Sequence, residues 1–245
     1  MIFWTAFCAV EGVVKLIISK IFPDNADLKA DTRRMWFILG SMVVAIGCLV
    51  LAALKYHGWY SAALWGFGFS AIYLLYAIIF NDKIMLHILL FTAVAGFTEL
   101  LADNWLVVHT KTLLYPFEPK LLSSPSYMPF SWIVVLTQVG YIGYLINKKH
   151  SLLFTSIAVG LLGCCIIPFY EFLAIHAGWW SYTGAPMIGG IVPVYIMVAE
   201  GLLMLSVPEL FDRCETASLK KITLLGLIQG LIMWIACIVA FKICG

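Results

Sequence analysis

The chain has 245 residues, of which 63% are hydrophobic and only 11% charged, with a formal net charge of +2. Soluble domains carry about 25% charged residues, so this surface cannot be covered by polar groups and most of it must face lipid. The small net charge, with no basic run and no interleaving of basic and aromatic residues, excludes a nucleic-acid partner.

A hydrocarbon core of about 30 Å needs roughly 20 apolar residues per helix. In chain order, stretches of that kind run near 2–19, 35–54, 60–80, 84–108, 129–147, 151–178, 190–208 and 221–243. The first is interrupted by Glu11 and Lys15 at i, i+4 spacing. Those two pair on one face, or the segment lies in the interface as an amphipathic helix. The N-terminus shows no small-residue cleavage site after its apolar stretch, so it is expected to be retained. The expected fold class is all-α, a polytopic transmembrane helix bundle of seven spans plus an N-terminal eighth. Residues 1–245 would form a single integral membrane domain.

Orientation follows from Lys and Arg. The connections after the first, third, fifth and seventh spans carry Lys20, Lys29, Arg33, Arg34, Lys83, Lys148, Lys149, Arg213, Lys220 and Lys221. The opposite side carries Lys55, Lys111, Lys120 and Lys242. This asymmetry places the first group in the cytoplasm and both termini outside, in a bacterial inner membrane or an endomembrane. The non-cytoplasmic side then holds the connection His109 to Met128 and the Gly/Pro-rich stretch Ser181 to Gly190, both rich in Tyr, Phe and Pro.

Four glutamates, Glu11, Glu99, Glu171 and Glu200, interrupt the apolar spans. An ionisable group in hydrocarbon costs roughly 2.5–3.5 kcal/mol even on lenient insertion scales, and its default reading is a site facing the bundle interior. Glu99 and Asp103 stand one turn apart on one helix face, so in low dielectric both do not ionise readily. A neutral carboxyl of this kind is a proton donor; the plainer reading of Asp103 is a polar helix end touching interfacial water. The string Glu99-Leu-Leu-Ala-Asp-Asn104 echoes Glu171-Phe-Leu-Ala-Ile-His176, each followed by a Pro/Tyr-containing loop and a helix opening near Pro129 or Pro193. The echo suggests a tandem parallel repeat of helix pairs, with Glu99 and Glu171 across a shared pocket.

Aromatic residues cluster in the same half. Trp105, Trp132, Tyr170, Trp179, Trp180, Tyr182 and Tyr195, with Gln138 and His176, are the candidate substrate-binding residues. Ring faces attract a cation without attacking it, although belt and core packing account for at least half of these side chains. The seven cysteines show no CxxC and read as small apolar fillers. The five histidines form no HxxxH or HxxH set, so no metal site is expected.

The stretch Pro168-Phe169-Tyr170-Glu171-Phe172-Leu173 resembles the proline-then-acid motif of the small membrane-embedded lycopene cyclases. Glu171 to Pro193, with Gly-Trp-Trp-Ser-Tyr-Thr-Gly, resembles the related carotenoid hydratases; the likeness covers about a quarter of the chain. It implies acid-initiated cyclisation or hydration of an isoprenoid, with Glu171 as one acid. Tyr170 stands where that motif usually has a first acid, so Glu99, Asp103 or Glu200 would supply the second. The resulting expectation is a cofactor-independent membrane enzyme acting on a lipid-soluble terpenoid or carotenoid through the catalytic carboxyls Glu99, Asp103, Glu171 and Glu200. The alternative is a proton-coupled transporter or lipid-binding membrane protein using the same acids.

Overall fold

The computed structural model describes residues 26–55, 58–116 and 118–245. The expected segment 2–19, and Glu11 with it, lies outside the described residues. The chain divides into two compact units, 1–37 and 38–245. Of the first, the described part is the opening of helix α1 (Ala26–Lys55), where Arg34 and Asp31 form an ion pair at 2.7 Å.

The second unit continues with α2 (Trp59–Ile79), α3 (Lys83–Trp105), α4 (Met128–Asn147), α5 (Leu152–His176), α6 (Val194–Met204), α7 (Val207–Cys214) and α8 (Leu219–Cys244). Among the described residues, seven helical segments are long and apolar enough to cross a membrane, α6 and α7 together counting as one. The chain is therefore an all-α, multi-pass membrane protein. Lipid offers no partner for backbone N–H and C=O groups, so the helix satisfies them internally. The span expected at 190–208 in fact covers Val194–Cys214. The chain at 190 is still turning, with Gly189 and Gly190 at φ 60° and 72°. Pro208 sits in the first turn of α7, where its missing N–H is not needed.

Local chemistry sets the other boundaries. Asp82 and Ser151 cap α3 and α5, accepting from the backbone N–H of Met85 and Phe154. Between helices in lipid there is no hydrophobic drive, so small residues that let backbones approach become the main packing device. α8 makes the broadest helix contact of the unit, against α3. A Cβ on Gly226 would lie 2.7 Å from the Phe91 carbonyl oxygen, and one on Gly230 would lie 2.9 Å from that of Ala95. Gly163 of α5 meets α6 in the same way, 2.7 Å from the Glu200 carbonyl oxygen. The outward faces carry large apolar side chains such as Leu54, Leu64 and Leu153, 72–77% exposed, where lipid would supply the missing contacts.

The two connections α3–α4 and α5–α6 lie at the same end and are tied together. The first contains β1 (Leu113–Leu114), β2 (Lys120–Leu121) and β3 (Ser124–Pro125); the second contains β4 (Ser181–Tyr182), β5 (Met187–Ile188) and β6 (Val192–Pro193). β2 pairs with β3 and β5 with β6, each within its own connection, whereas β1 pairs with β4 across them, Leu113 opposite Tyr182. Thr183 N–H adds a bond to the Thr112 carbonyl, and the Thr112 and Tyr195 hydroxyls share another. These loops form a cap over one end of the bundle.

Candidate functional site

Three helices deliver the acids. Glu99 and Asp103 lie on the last turns of α3, which widens into a π-turn over Leu106–Thr110 and ends at Lys111 in the left-handed region, φ 57°. Glu171 precedes the end of α5, where Gly178 at φ 70° donates to Ile175 O and Trp179 donates to Ala174 O. This pair of bonds closes a helix through a glycine at C′. The run Ala177-Gly178-Trp179-Trp180 thus turns both tryptophans back over the bundle. Glu200 comes from α6, whose position against α5 depends on the missing side chain of Gly163.

These acids converge. Glu99, Asp103, Glu171 and Glu200 all line one cavity of about 80 Å3, together with Trp65, Tyr115, Trp132, Tyr170, Trp179, Trp180, Tyr182, Met233 and Cys237. No Lys, Arg or His is among its described lining residues. Among the described residues, no three His, Cys, Asp or Glu groups gather as a metal ion would require.

Two of the four acids accept hydrogen bonds from aromatic side chains of the cap. Glu171 Oε2 accepts from Trp180 Nε1–H at 2.7 Å and from the Tyr182 hydroxyl at 2.9 Å. Asp103 Oδ2 accepts from the Tyr115 hydroxyl at 2.5 Å, and the Tyr115 and Trp180 rings meet edge to face. Burial, reinforced by the adjoining carboxyl groups, pushes the Tyr115 and Tyr182 hydroxyls well above the usual phenol range, so both remain donors. Asp103 and Glu171 are therefore occupied in holding the cap. Glu99 and Glu200 are only 4% and 6% exposed, and one oxygen of each, Oε2, has no hydrogen-bond partner among the described residues. Glu99 is otherwise hydrogen-bonded to Asp103 and Trp132, with Glu200 as an electrostatic neighbour; Glu171 and Asp103 are the electrostatic neighbours of Glu200. Leaving a buried polar group unsatisfied costs about 1–3 kcal/mol, more if charged.

Not every expected residue reaches the cavity. Trp132, Tyr170, Trp179, Trp180 and Tyr182 line it. Gln138 stands behind the wall: it accepts from Tyr170 OH at 3.3 Å and donates to Tyr73 OH at 2.9 Å, and Tyr73 bonds Ser41. Tyr195 is buried and anchors Thr112 of the cap. Trp105 packs edge-on against Phe241. His176 is exposed, its Nδ1 bonded to the Phe172 carbonyl and its ring against Phe172, because the helix stays regular and turns it away.

The sequence reading missed Trp65, Tyr115, Met233 and Cys237 in the lining, and the buried Glu118 within the cap. The echo as aligned does not point to Tyr115; the matching spacing runs from Asp103, which Tyr115 follows by 12 positions, as Tyr182 follows Glu171 by 11. Glu118 is buried beside Tyr127 and Lys120, and burial raises its carboxyl to about 7. Nothing local in a polar loop distinguishes it.

Residues 100–244 match a protein family described as a domain of unknown function (DUF6989). The match covers more than half of the chain, so the chain belongs to that family. No curated protein and no solved structure matches the chain.

Proposed function

We propose that this member of the DUF6989 family is a membrane enzyme that protonates an alkene of a lipid-soluble isoprenoid, with Glu99 and Glu200 as its working acids. The observation that carries this reading is the pair of buried carboxyl oxygens, unpartnered among the described residues, in an aromatic-walled cavity with no basic residue among its described lining. One carboxyl gives its proton to an alkene carbon, leaving a carboxylate and a carbocation. The cation closes a ring or migrates, then loses a proton to that carboxylate or its neighbour; if water adds instead, the water proton returns to the carboxylate. The acid is regenerated either way, and the chemistry calls for no cofactor. Asp103 and Glu171 keep the site roofed, and the carboxylate left by the proton donor faces the developing cation, the mirror image of an oxyanion hole. The ring faces of the tryptophans add attraction without nucleophilicity.

A volume of about 80 Å3 holds on the order of half a dozen waters at about one probe sphere each. That suits an end group, with the rest of the chain lying against lipid. The lycopene cyclase-like stretch implies acid-initiated cyclisation or hydration with Glu171 as one acid; in this reading Glu171 instead holds Trp180 and Tyr182, and only the reaction class carries over. The Lys/Arg asymmetry supports a cap on the non-cytoplasmic side, with both termini there too, in a bacterial inner membrane or an endomembrane.

The test is turnover of acyclic prenyl and carotenoid substrates by purified protein in D2O. One non-exchangeable deuterium per product is expected, and Glu99→Gln or Glu200→Gln should each reduce the rate about a hundredfold or more. Undiminished turnover in both variants would sink the assignment. The break between α6 and α7 at Leu205–Ser206 favours the alternative of a proton-coupled carrier, since interrupted helices recur at carrier sites. That reading requires substrate accumulation in proteoliposomes that an uncoupler abolishes.

A further inference from the structure

We infer that the cavity is a binding site for a lipid-soluble primary or secondary amine, held as its ammonium ion with the nitrogen between Glu99 and Glu200. The inference rests on the same unpartnered carboxyls as the enzymatic reading, but it requires no turnover.

Charge balance is the first argument. Among the described lining residues, four are carboxyls and none is Lys, Arg or His, whereas buried acids elsewhere in proteins are ordinarily paired with a cation or a donor. Asp103 and Glu171 have donors already. Glu99 Oε2 and Glu200 Oε2 have none among the described residues, so whatever completes them arrives from outside.

The second argument concerns the number and placement of acceptors. An ammonium with two N–H bonds offers one to each open oxygen, and N–H···carboxylate bonds are roughly twice as strong as neutral ones. A quaternary ammonium has no N–H to give. A metal ion asks for several ligands converging on one point, and among the described residues no three acidic, Cys or His groups do so. Tryptophan is the best aromatic partner for a cation, and Trp132 adjoins Glu99 while Trp179 lines the same space.

Size and polarity complete the ligand. About 80 Å3 admits the ammonium head and a few carbons. Ile167, Leu203 and Met233 supply apolar lining for the start of a hydrocarbon tail. In shape and charge such a molecule is a stable counterpart of the protonated isoprenoid proposed above.

The experiment titrates the full-length protein in nanodiscs with farnesylamine, farnesyl-trimethylammonium and farnesol, following tryptophan fluorescence. Farnesylamine should bind roughly tenfold or more tightly than either analogue, as expected for a charge-assisted bond to a buried acid. Glu99→Gln or Glu200→Gln should remove that preference while farnesol affinity stays, which also shows that the variant is folded. Glu209→Gln, which alters a pair with Arg213 away from the cavity, should change nothing. Equal affinities for amine and alcohol, amine preference surviving in the Glu99→Gln/Glu200→Gln double variant, or displacement of the amine by millimolar sodium or potassium would each overturn the inference. Amine preference without turnover of any prenyl substrate would uphold this site and remove the enzymatic reading. Turnover without amine preference would do the reverse.

Discussion

Four acids in one cavity invite the view that they act alike, but their bonds say otherwise. Glu171 holds two donors of the cap, so Glu171→Ala strands Trp180 Nε1–H and the Tyr182 hydroxyl. A stranded buried donor costs about 1–3 kcal/mol, and a clear drop in melting temperature in detergent is expected. Tyr115→Phe should fall in the same direction by a smaller amount, since it removes the bond to Asp103 together with its donor. Glu200→Gln should behave differently. It replaces an acid that has an open oxygen by a neutral group of the same shape, so thermal stability should hold or rise while turnover disappears. Measuring melting temperature and rate on the same preparations separates the two classes. If Glu171→Ala were as stable as the parent, or Glu200→Gln as unstable as Glu171→Ala, the division between holding and working acids would be wrong.

At the scale of helices, the position of Glu200 is set by a close crossing. A Cβ at Gly163 would sit 2.7 Å from the Glu200 carbonyl oxygen, and backbone does not yield as a flexible side chain does. Gly163→Ala should therefore push α6 outward and carry Glu200 with it, lowering both stability and activity. Gly47→Ala, which meets nothing within 4 Å, should leave both unchanged or gain slightly from helix propensity. Thermal melts and turnover of the two variants check this. The same scale shows what could be read in advance. Span positions were legible because lipid forces about 20 apolar residues wherever the chain crosses. The acids were legible because so few polar groups survive there. The echo between Glu99-Leu-Leu-Ala and Glu171-Phe-Leu-Ala paired two acids that do line one cavity, but their hydrogen bonds differ. By bonding, Asp103 with Tyr115 is the counterpart of Glu171 with Tyr182, and Glu99 is matched by Glu200 as the open acid. That correspondence depends on how the π-turn after Trp105 and the glycine cap at Gly178 aim two loops, which periodicity along a helix does not encode.

Taken as a whole, the second unit is a bundle closed at one end by a cap that two separate helix pairs build jointly, through β1 on β4 and through the tyrosine–carboxyl bonds. Within that cap Glu118 is a buried carboxyl, and its titration should tie the stability of the fold to pH. Burial raises its carboxyl to about 7, against partial opposition from Tyr127 and Lys120. A carboxyl raised on folding binds its proton more tightly in the folded protein than in the unfolded chain. Between the ordinary glutamate value of about 4.3 and about 7, the folded state therefore holds a proton that the unfolded state has released. Stability then falls as pH rises through that window, and the loss is complete above it. The wild-type protein should melt at a lower temperature at pH 8 than at pH 5, all other titrations aside. Glu118→Gln should flatten that slope, matching the parent near pH 5 and exceeding it at pH 8. A pH series of thermal melts on the two proteins decides the matter: parallel curves would mean that the Glu118 carboxyl is solvated in the folded cap and plays no part in closing it.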